Sequence, residues 1–116
     1  MPSATLPISV VNLEETHTQA EQRVYEEMYK GTIAHRRKQK YFTIPTLSEM
    51  TGLRSPTTIR NALQGLIAKQ SIEPLTQNVG DRRGIRYRVY GPVEILARRR
   101  KAKIKIDYDT KEIIRD

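Results

Sequence analysis

Cysteine and tryptophan are absent from the chain, and phenylalanine occurs once. Without thiols there is no disulfide framework, no thiolate nucleophile and no cysteine-based zinc site, so neither compartment nor redox role can be read from bridges. His17 and His35 stand far apart in polar settings with no carboxylate at ligand spacing, and surface positions are expected for both. No run of about 18 apolar residues could cross a bilayer, and no basic start leads into an apolar stretch that would direct export. The expectation is a cytoplasmic, nucleoid-associated protein with no cofactor and no membrane partner. Acidic residues are scarce in one region only. Residues 1–29 hold five Glu and one Arg, residues 30–105 hold eighteen Lys or Arg against four acids, and residues 106–116 hold two cations against four acids. A strongly basic middle between acidic ends points to a polyanionic partner.

Catalytic chemistry is equally thin. The pair Asp107-x-Asp109 would point two carboxylates to one face of a strand, but a metal-dependent hydrolase needs further ligands. The Gly80 to Gly84 loop lacks the Lys-Ser/Thr ending of a phosphate-binding loop. The chain is therefore expected not to be an enzyme. Its 116 residues, 37% hydrophobic, suit one small domain with a single core.

What is present is concentrated between Thr43 and Ile72. Leu47 and Met50 give the apolar side of a short helix entered at Thr43 or Thr46, with Thr46-x-x-Glu49 able to form a capping box and Gly52 placed for a left-handed end. Ser55 is a good N-cap, and Pro56 follows at the first helical position, where its missing N–H costs nothing. Ile59, Ala62, Leu63, Leu66 and Ile67 then stack on one face of a second helix, spanning 56–69. At about 100° per residue, Thr57, Asn61 and Gln64 project opposite Ile59, with Arg60 on the flank. These residue types can hydrogen-bond base edges in a DNA major groove.

Downstream, residues 72–75 and 85–90 read as two strands of a hairpin, with Pro74 confined to an edge strand or a bulge. Ile85, Tyr87 and Val89 alternate with Arg86, Arg88 and Tyr90, so one face can cover the helices while the other carries cations; Arg82 and Arg83 lie near the tip. Helix, turn, helix and basic hairpin, in this order, resemble a winged-helix DNA-binding domain. The residues Leu47, Met50, Thr51-Gly52-Leu53, Ser55, Thr58-Ile59, Ala62-Leu63, Leu66 and Ile72 are similar to the core of small bacterial MarR- and GntR-type regulators and of plasmid or phage replication initiators. Gln70-Ser71 departs from the pattern, because such domains often leave the second helix through a glycine.

The resemblance implies a small α+β winged helix-turn-helix protein that binds double-stranded DNA sequence-specifically, as a transcriptional regulator or, alternatively, as an initiator module that recruits other proteins. Thr57, Arg60, Asn61 and Gln64 would read bases, while Arg54, Ser55, Thr58, Arg82, Arg83, Arg86 and Arg88 would hold the backbone, the wing being 76–86. Further contacts could come from Arg36, Arg37, Lys38 and Lys40, in a basic loop or a passive linker, and from Arg98, Arg99 and Arg100, which end a helix begun at Gly91-Pro92. Residues 16–91 form the expected domain, 1–15 a flexible arm, and 92–116 a C-terminal helix and tail. Whether Ile104, Ile106, Tyr108 and Ile113 belong to a hairpin or continue that helix stays open. A first helix capped by Thr18 and Glu21 places Ala20, Val24 and Met28 inward, with Tyr25 and Tyr29 extending the core or a homodimer contact. At this length an effector domain does not fit, so no small-molecule ligand is expected.

Overall fold

The Thr18 hydroxyl accepts the Glu21 N–H at 3.2 Å while the Glu21 carboxylate accepts the Thr18 N–H at 2.8 Å. This reciprocal cap satisfies two donors that a helix start leaves unpaired, and the longest apolar stripe of the N-terminal half begins there. In the computed structural model, which describes residues 6–75 and 83–115, the elements in chain order are α1 (Ile8–Val11), α2 (Gln19–Gly31), β1 (Gln39–Phe42), α3 (Ile44–Thr51), α4 (Pro56–Ala68), β2 (Ile72–Pro74), β3 (Ile85–Val89), α5 (Pro92–Lys101), β4 (Ile104–Ile106) and β5 (Ile113–Arg115). Short 3₁₀ turns follow α1 and α2. This is a small α+β domain with antiparallel strands.

Two sheets form. One has the order β1-β3-β2, both pairings antiparallel, and the other pairs β4 with β5. Tyr25, Met28, Leu47, Ile59, Leu66, Ile72, Val89 and Ile95 are fully buried, so α2, α3, α4, α5 and the three-stranded sheet share one core. Each such side chain contributes about 1.5–3 kcal/mol by leaving water. The Tyr25 hydroxyl donates to the Tyr90 carbonyl at 2.6 Å, which satisfies the one polar group this ring carries inside.

Several expectations change. Residues 8–15 are helical, and Val10 and Leu13 are buried, so this part of the expected arm is packed onto the domain. Its anchor is polar as well as apolar: the Gln22 amide donates to the Val10 carbonyl at 3.0 Å. The basic run reaches into β1, because Tyr41 and Phe42 favour extended backbone and β3 offers them an unpaired edge. Met50 is only partly covered, and α3 is held inward by Leu47 and Thr51 instead. Thr43, not Thr46, caps α3, its hydroxyl accepting the Thr46 N–H at 3.1 Å. The tail beyond α5 is a hairpin. Asp107 caps its turn, accepting the Asp109 and Thr110 N–H groups at 2.8 and 3.0 Å, which holds its carboxyl below the usual carboxylate range. The Asp107-x-Asp109 pair thus builds a turn and does not line one strand face.

Candidate nucleic-acid interface

The joint between α3 and α4 is fixed by side chains that bond its backbone. Gly52 takes φ 76° and ends α3 in the left-handed region. The Thr51 hydroxyl donates to the Leu47 carbonyl at 2.7 Å and accepts the Leu53 N–H at 3.2 Å, while the Ser48 hydroxyl donates to the Leu53 carbonyl at 2.6 Å. The Arg23 guanidinium, reaching from α2, donates from Nε to the Thr51 carbonyl at 3.1 Å. Carbonyls at a helix end carry partial negative charge, so a cation there both satisfies and anchors the turn. The Ser55 hydroxyl then accepts the Thr58 N–H at 3.3 Å, Pro56 occupies the first position, and α4 leaves in a defined direction.

Along α4, Ile59, Ala62, Leu63 and Leu66 are buried, whereas Thr57, Arg60, Asn61 and Gln64 are exposed. The expected outward set is thus brought together on one face. Arg54 and Ser55 are exposed beside it, and Thr58 is half-buried.

The far end of α4 resolves the missing glycine. Gln70 itself adopts φ 67°, the Ser71 N–H bonds the Leu66 carbonyl at 2.9 Å, and the Gln70 N–H bonds the Ile67 carbonyl at 3.1 Å. This is the paired pattern of a left-handed helix end. A side chain there costs about 1–2 kcal/mol of backbone strain, and Arg98 offsets it by donating to the Gln70 side-chain oxygen at 2.9 Å.

The outer face of the three-stranded sheet carries cations on aromatic rings. Arg83 lies 4.4 Å and Arg86 5.9 Å from the Tyr41 ring centre, while Arg98 lies 3.8 Å and Arg88 5.1 Å from that of Tyr90. Ring faces attract guanidinium groups through their negative π-faces. Gly84, at φ 90°, is needed where β3 begins: a Cβ would stand 2.2 Å from the Phe42 carbonyl oxygen. Arg82 and most of the expected wing tip lie outside the described residues. Arg36, Arg37, Lys38 and Lys40 are all exposed, the first three before β1 and Lys40 within it.

Arg99 does not belong to this set. It is buried, its Nε donating to the Lys69 carbonyl at 2.8 Å and its Nη1 to the Thr16 hydroxyl at 2.9 Å. His17 is also buried, against the surface position expected of it. Its Nδ1 donates to Gln22 Oε1 at 2.8 Å and its Nε2 accepts the Ser71 hydroxyl at 2.7 Å, an assignment fixed by the Gln22 amide nitrogen donating to Val10 and Glu26. Burial, with Arg99 and Lys69 nearby, pushes the imidazole down to about 3. Beside it, Lys69 and Glu21 form a buried ion pair at 2.5 Å. Sequence patterning missed this polar knot, although Gly65 inside an otherwise regular helix marks the close approach of Glu21.

Among the described residues, no cluster of three or more His, Asp or Glu could hold a metal, and no helix is long and apolar enough to cross a membrane. Val24, Tyr25, Met28 and Tyr29 of α2 are all buried in the core of the chain. Comparison with known proteins found no matching family model, no matching curated protein and no matching solved structure.

Proposed function

We propose that this chain is a winged-helix protein that binds duplex DNA sequence-specifically, as a transcriptional regulator rather than an enzyme, in the cytoplasm. The observation that carries this reading is the exposed set Thr57, Arg60, Asn61 and Gln64 on α4, opposite a buried apolar stripe and set on a turn fixed from three sides. Asn61 can pair its amide with adenine N6 and N7, and Arg60 can pair its guanidinium with guanine O6 and N7. The element order supports the same reading, since a helix pair preceded by β1 and followed by the antiparallel β2-β3 pair is the order of a winged helix. Arg83, Arg86 and Arg88 position the protein through phosphates, which carry no sequence information themselves.

Phosphate neutralisation releases counterions, so binding depends steeply on salt. If about five phosphates are neutralised, log affinity falls with log salt at a slope of about −4 to −5. A fluorescence-anisotropy titration over a range of salt concentrations measures it. A slope near zero removes nucleic acid as the partner.

A further inference from the structure

Where α5 turns into β4, the chain forms an open groove of about 730 Å³, lined by no residue of α4 or of the three-stranded sheet. Its apolar walls are Leu96 from α5, Ile104 and Ile106 from β4, and Tyr108 from the turn beyond. Leu96 is 53% exposed and Tyr108 is 63% exposed, so two large side chains with no need to face water both flank the same concavity. Arg100, Lys103 and Lys105 stand around it, and no carboxylate lines it. Lys103 occupies a backbone position at φ 58°, where a glycine or asparagine would be conformationally cheaper.

Volume and lining together define the occupant. Sites for small molecules measure about 300–1,000 Å³ and combine apolar walls with a few polar groups that fix orientation. Here the charged ones are all cationic, with the Thr16 hydroxyl as a neutral polar group among them. A second copy related by a two-fold axis would set this patch against itself and oppose like charges, which disfavours self-association through it. We propose that the groove binds an amphipathic anion: a molecule with one carboxylate or sulfonate and an apolar body of about ten carbons, the anion at the Arg100 guanidinium and Lys103 ammonium groups and the body between Leu96, Ile104 and Tyr108. The proposal is independent of DNA binding, and its test involves no DNA.

Anilinonaphthalene sulfonate is the probe, titrated against the full chain and followed by its fluorescence. The expected result is saturable binding at one site per chain. Decanoate displaces the dye, whereas decanol and decyltrimethylammonium do so at least about tenfold less well, one factor of ten being about 1.4 kcal/mol. Two variants keep the fold because their side chains are exposed: Leu96→Glu places a carboxylate in the groove, and Lys103→Gly removes a cation while easing the backbone. Each weakens dye binding about tenfold or more with thermal melting preserved. Non-saturable binding, equal displacement by decanol, or variants that bind as the native chain does would overturn the proposal. So would sedimentation showing a dimer that Leu96→Glu dissociates, since the face would then belong to a second copy.

Discussion

His17 shows how one side chain couples the fold to pH. Its imidazole is held neutral between Gln22 and Ser71, with the Arg99 guanidinium 3.5 Å from Nε2, so a proton has nowhere favourable to go. The folded value of about 3 lies below the ordinary 6.5, and the unfolded chain therefore binds a proton that the folded chain refuses throughout that window. This contribution to stability is complete above about pH 6.5 and declines as pH falls toward 3, by about 1.4 kcal/mol per pH unit. His17→Asn loses the hydrogen bonds but also the titration. Its deficit against the native chain, from urea unfolding, is expected to shrink by about 2 kcal/mol between about pH 7 and about pH 5. A deficit that stays constant over that range contradicts a buried neutral imidazole.

Among the elements, α4 is held from its buried side by an ion pair as well as by its apolar stripe. Glu21 of α2 lies across Gly65, where an added Cβ would stand 1.8 Å from its carboxylate oxygen, and from there it reaches Lys69. Gly65→Ala would gain about 1 kcal/mol in helix propensity. It would also displace Glu21 and leave the Lys69 ammonium buried without its partner, a loss of about 3–5 kcal/mol. Net destabilisation of about 2–4 kcal/mol is expected in thermal or urea unfolding, whereas an unchanged or raised stability would show that Glu21 is not fixed there. Elements specified by their own neighbours were legible in the sequence: the Thr18 cap, the Ser55-Pro56 start and the Gly52 end all involve residues within a few positions. The outward residues of α4 followed from periodicity for the same reason. Arg99 and His17 read as surface residues because their partners lie far along the chain; His17 and Ser71 are 54 positions apart, and Arg99 and His17 are 82 apart. The strand β1 was hidden because its four residues have meaning only beside β3. The groove between α5 and β4 depends on the hairpin folding back, which local pattern left undecided.

At the scale of the whole molecule, the cations are sorted by use. Arg23 braces backbone at the joint between α3 and α4 and Arg98 at the far end of α4, Arg99 and Lys69 are internal, and Arg54, Arg60 and Arg83 face outward with the 36–40 run. The excess of positive charge in residues 30–105 is thus partly structural, and what remains outside is divided between α4, the outer face of the sheet, the 36–40 run and the groove between α5 and β4. Whether that surface reads sequence or only grips phosphate is decided by selecting bound duplexes from a random pool, with the native chain and with Arg60→Ala, Asn61→Ala and Ile59→Ala, each also melted. The account expects one enriched motif. Arg60→Ala and Asn61→Ala should each relax a single position, about 1–3 kcal/mol of discrimination, with melting unchanged. Ile59→Ala should keep the motif while losing about 2–5 kcal/mol of stability to a core cavity. If Arg60→Ala and Asn61→Ala melt normally and retain every base preference, α4 does not read the groove and the proposed function is wrong.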